Sequence, residues 1–69
     1  MTYTLTHPNV SEGRHAATYD DQAAMIHHLR KYSVWDSTYA LRFVAHAERY
    51  GVAETRSGYG LIYRLEVTK

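Results

Sequence analysis

At Gly51 the hydrophobic period of this chain changes from that of a helix to that of a strand. Upstream, Ala40, Phe43, Val44, Ala47 and Tyr50 recur three and four residues apart, which lines one face of a helix. Downstream, Leu61, Tyr63, Leu65 and Val67 alternate with Ile62, Arg64, Glu66 and Thr68, the two-residue period of a half-buried strand. Val52-Ala53-Glu54-Thr55 precedes that strand, and Arg56-Ser57-Gly58-Tyr59-Gly60 between the two reads as a hairpin turn. Both periods lie in one short chain, so each apolar face must be buried against the other. The class is α+β.

The helix has clear ends. Asp36 or Ser37 can cap its start, and Gly51 supplies the left-handed residue that stops it, with Val52 placed for the usual hydrophobic contact. Tyr39 lies at the margin of its apolar face, while Thr38, Arg42, Ala45 and Arg49 occupy the opposite one. Leu41 falls outside the stripe, which implies either a wide buried face or an exposed apolar spot. An earlier helix is expected to run to about Tyr32, capped by Thr18 or Asp20, with Asp20 and Asp21 at its positive end and Arg30 and Lys31 at its negative end. Met25, Leu29 and Tyr32 share its inner face, flanked by Gln22 and Ile26; Ala23, His27, Arg30 and Lys31 point away.

Residues 2–7 alternate threonine with Tyr3, Leu5 and His7, the pattern of a strand rich in β-formers. Pro8-Asn9 breaks that pattern, and residues 15–19 can return antiparallel as a short second strand. The expected order is therefore strand, short strand, helix, helix, strand, strand. A small antiparallel sheet carries both helices on one face, and Thr, Arg and Glu cover the other. Residues 1–69 read as one α+β domain with no repeat or linker.

At 69 residues the chain buries only about 60% of its unfolded surface. Its stability is expected to be small or shared with a partner. There is no cysteine, which excludes disulfides, thiolate metal sites and thiol chemistry, and a cytoplasmic setting is expected. Neither a secretion signal nor an apolar run of about 20 residues is present, so no membrane association is expected. Eight basic and seven acidic side chains give a net charge of +1, so attraction to nucleic acid would have to be local. Six arginines against two lysines, with seven tyrosines, favour the side chains found at interfaces.

Chemistry finds little support in the residues. His27, His28 and His46 are the only histidine cluster to test for a metal, and adjacent helical residues diverge by about 100°, so His27 and His28 cannot share an ion. His28 and His46 are instead expected at the core border, with pH-sensitive stability as the consequence. Gly58-Tyr59-Gly60 lacks the third glycine of a phosphate loop and leads into a strand. No Gly-x-Ser-x-Gly motif occurs. No enzyme activity, cofactor or small-molecule substrate is expected.

Two binding readings remain. The segment from Asp36 onward, with Gly51-Val52, Gly58 at the turn and Ile62-Tyr63-Arg64-Leu65, resembles the recognition helix and wing of bacterial winged-helix repressors over about half the chain. The resemblance implies that the helix over 36–50 and the hairpin over 52–67 meet DNA through Thr38, Arg42, Ala45, Arg49 and Arg56. That family has at least three helices before the wing, and acidic Glu48, Glu54 and Glu66 would lie near the surface. The favoured reading is a non-enzymatic protein-interaction module, inhibitor or adaptor. It would bind a protein partner or itself by apolar contact or strand addition, with Trp35, Leu41, Tyr59 and Ile62 as contact residues. In composition the chain also resembles the small accessory proteins of actinobacterial phages, which implies action on a host factor.

Overall fold

Threonine alternating with Tyr3 and Leu5 does form a strand, β1 (Thr2–Thr6), in the computed structural model, which describes residues 1–6, 16–32, 35–56 and 62–69. Of Arg56 and Ile62 the backbone alone is described. The remaining elements are β2 (Ala17–Tyr19), α1 (Gln22–Tyr32), α2 (Ser37–Tyr50), β3 (Val52–Arg56) and β4 (Ile62–Thr68). The strands form one antiparallel sheet in the order β2-β1-β4-β3, which leaves β2 and β3 at its edges.

Register explains which face is buried. Ala17, Leu5, Leu65 and Ala53 stand opposite one another in a row across all four strands, and Tyr19, Tyr3 and Val67 form the next row. Both rows face the helices, because Leu5, Leu65 and Ala53 join Met25 and Leu29 of α1 and Ala40, Phe43, Val44 and Ala47 of α2 in one apolar cluster. Each fully buried leucine contributes about 1.5–3 kcal/mol. The alternate residues make the open face: Thr2, Thr4, Thr6, Thr18, Val52, Glu54, Arg64, Glu66 and Thr68. Arg64 bridges it, 2.9 Å from Glu54 and 3.7 Å from Glu66. Both helices thus cover one side of a four-stranded antiparallel sheet, as the sequence order implies.

The helix ends differ from expectation in one place. Asp21 caps α1, accepting a hydrogen bond from the Ala24 amide at 3.3 Å, while Thr18, a suggested cap, pairs with Thr4 inside the sheet. Asp20, the other suggested cap, instead accepts from the Thr2 hydroxyl at 3.5 Å, so the carboxylate directly before the helix takes the cap. For α2, Asp36 is the cap and accepts from the Tyr39 amide at 2.8 Å. Gly51 ends α2 at φ 88°, its amide donating to the Ala47 carbonyl at 2.7 Å. A side chain there meets no neighbour but must adopt the left-handed conformation. Gly51→Ala is therefore expected to cost about 1 kcal/mol, read as a lower urea midpoint with an unchanged slope.

Tyr50 departs from the expected core face of α2 and is 61% exposed. At about 100° per residue it lies on the flank of the stripe near Tyr39, and the chain turns away at Gly51 before any strand passes beneath it. His7, Leu61 and Tyr59 lie outside the described residues.

Candidate functional site

An aromatic cluster sets the position of α2 over the sheet. Trp35 sits just before the Asp36 cap and is 8% exposed, with ring centroids 4.8 Å from Tyr39, 4.8 Å from Phe43 and 5.3 Å from Tyr63. It was expected as an exposed contact residue. Its large apolar surface instead fills the space between the start of α2 and β4, where burial is worth more than exposure. The Tyr39 hydroxyl then reaches across to Thr55 Oγ1 at 2.8 Å, tying α2 to β3.

Beyond that tie, α2 and β3 enclose an open groove of about 390 Å³, lined by Tyr39, Arg42, Phe43 and His46 from the helix and Ala53, Glu54 and Thr55 from the strand. Helical spacing puts Tyr39, Arg42 and His46 on the flank of α2 nearest β3, with Tyr50 further along. His46 was expected at the core border but is exposed, its ring 4.6 Å from that of Tyr50. Small Ala53 leaves the hollow that a larger inward residue would fill.

The strand wall of this groove is the free edge of the sheet. The Val67 amide donates to the Gly51 carbonyl at 3.0 Å, and hydrogen bonds between antiparallel strands alternate, so residues 53 and 55 bond toward β4. Val52, Glu54 and Arg56 therefore direct their amides and carbonyls outward from the sheet. Those groups can pair with another chain.

Of the four proposed contact residues, Trp35 and Leu41 have described side chains, and these two do not share a surface. Leu41 is 49% exposed, but lies about 200° around α2 from Tyr39, on the flank toward α1. The side chain of Ile62 and all of Tyr59 lie outside the described residues. Thr38, Arg42, Ala45 and Arg49 are all exposed on α2, with the Arg49 guanidinium 5.4 Å from the Tyr50 ring centre. Arg56 ends β3, and its side chain is not among those described.

Glu48 corrects another expectation. It turns from the outer surface of α2 to accept hydrogen bonds from the Tyr3 hydroxyl at 2.6 Å and from Gln22 Nε2 at 3.0 Å. One carboxylate thus joins β1, α1 and α2. The hydrogen bond to Glu48, reinforced by burial and by the charges of Glu48 and Asp21, pushes the Tyr3 phenol up to about 12. This bridge was not legible in the sequence, where Glu48 resembles any surface glutamate.

On the other flank, His28 is buried beneath Tyr19, whose hydroxyl lies 3.2 Å from Nδ1, and Tyr32. Among the described residues, no three His, Asp or Glu side chains come together as a metal site. No described helix is long and apolar enough to cross a membrane. No family model, curated protein or solved structure matches this chain. The groove between α2 and β3 joins the edge strand of the sheet to aromatic and cationic side chains.

Proposed function

We propose that this chain is a non-enzymatic protein-binding module that takes an extended segment of its partner alongside β3. The observation that carries this reading is the 390 Å³ groove bounded by α2 on one side and by the open edge of β3 on the other. Main-chain hydrogen bonds to Val52, Glu54 and Arg56 would supply affinity, and the hollow over Phe43 and Ala53 would receive a side chain. Trp35 supports the site from beneath and does not touch the partner.

Proline at position 54 removes one outward amide and spares the bonds to β4. In a pull-down from nuclease-treated lysate, the wild-type chain and Glu54→Ala are expected to retain one stoichiometric partner that Glu54→Pro loses. A bare wild-type bait, or equal capture by Glu54→Pro, would overturn the reading.

The DNA reading keeps one specific support: Thr38, Arg42, Ala45 and Arg49 form an exposed stripe from which Glu48 has turned away. DNA binding through this stripe would weaken steeply with salt and be abolished by replacing Arg42 and Arg49 with alanine. An absent or salt-independent mobility shift removes it.

A further inference from the structure

We infer that the segment bound along β3 is acidic: an extended peptide that sets an aspartate or glutamate side chain against Arg42. This rests on the strand-addition reading and adds the chemistry of the occupant. In β3, Ala53 and Thr55 face the helices, so every second residue of an added strand would point toward the flank of α2 that carries Tyr39, Arg42 and His46.

The charges on the two walls are unequal. Glu54, the acidic lining residue, is adjacent to Ala53 and Thr55 and so belongs to the opposite sheet face, where Arg64 holds it at 2.9 Å. Glu66 is likewise turned to Arg64, at 3.7 Å. Glu48 is occupied on the far flank by Tyr3 and Gln22. Arg42 makes no ion pair or hydrogen bond with any described residue, although it lines the groove. The next cation along the helix, Arg49, lies over the Tyr50 ring on the same side as His46.

The helical wall is therefore cationic and aromatic, and the acidic groups nearest to it are already paired. A carboxylate entering the groove would gain a charge-assisted hydrogen bond from a guanidinium that has no competing partner among the described residues. A lysine or arginine at the same position would meet Arg42 and be rejected. Tyr39 and Phe43 offer apolar surface to the rest of the side chain.

The test is selection from a display library of short random peptides against the full chain, and against its Arg42→Glu variant. Arg42 is exposed and without a described partner, so the variant should keep its unfolding midpoint. Wild-type binders are expected to share one Asp or Glu position among β-formers, to shift the amide resonances of β3, and to bind Arg42→Glu at least about tenfold more weakly. Selection on Arg42→Glu should exchange that position for Lys or Arg. Binders that shift β3 resonances without an acidic position, or that bind both proteins equally, would overturn the acidic inference alone. No binders, or binders that map away from β3, would overturn strand addition as well.

Discussion

Replacing Trp35 by alanine is expected to cost about 3–5 kcal/mol, which is most of the folding free energy of a chain this short. Trp35 is almost fully buried and is in edge or tilted contact with Tyr39, Phe43 and Tyr63. Its removal would open a cavity where α2 begins, and a short domain has little other core to redistribute into it. Loss of the cooperative transition in far-ultraviolet circular dichroism would be the readout. A surface contact residue would behave differently: truncation would move stability by less than about 0.5 kcal/mol and affect binding alone. A stable, folded Trp35→Ala protein would therefore contradict the placement of this ring.

The second large effect concerns the bridge from Tyr3 to Glu48. Tyr3→Phe removes a hydrogen bond to a carboxylate and is expected to cost about 1.5–3 kcal/mol near neutral pH. Glu48→Ala should cost at least as much, because it also leaves Gln22 without its acceptor. The pH dependence has a definite sign. The folded phenol titrates near 12, above the ordinary 10.0, so the unfolded chain loses this proton first as pH rises. The stabilisation is fully present below pH 10 and is lost between about 10 and 12. Urea midpoints across that window should fall more steeply for wild type than for Tyr3→Phe. Parallel curves would show that Glu48 does not hold the Tyr3 proton.

These two positions also show where sequence patterns stop being informative. The alternation in residues 2–6, the capping Asp36 and the left-handed Gly51 act through neighbouring residues, so strand, helix and stop could be read directly. Even the short β2 strand was visible, because Ala17–Tyr19 only had to return beside β1. Trp35 was misread because a lone aromatic in a connection carries no period, and whether it meets solvent depends on what lies beneath it. Glu48 was misread for the same reason: its partners are 45 and 26 residues away in the chain.

The groove shows the same division. From spacing alone Tyr39 could be placed at the margin of the apolar face of α2, Arg42 on the opposite face and His46 at the core border, but not together on one flank. That β3 rather than β4 would be the sheet edge, and would run beside that flank, could not be read either. Strand order depends on β1 pairing with β4 at the far end of the chain, a choice between alternative pairings of similar local propensity.

The two periods, the caps and the turn at Gly51 are legible in the chain alone, because these depend on backbone and side-chain interactions within a few residues. That Trp35 is core, that Glu48 is a bridge, and that Arg42 stands beside an open strand edge without a partner among the described residues all follow from how the elements pack. Each of those outcomes depends on which distant segments fill the space around a side chain, and burial and pairing are set there.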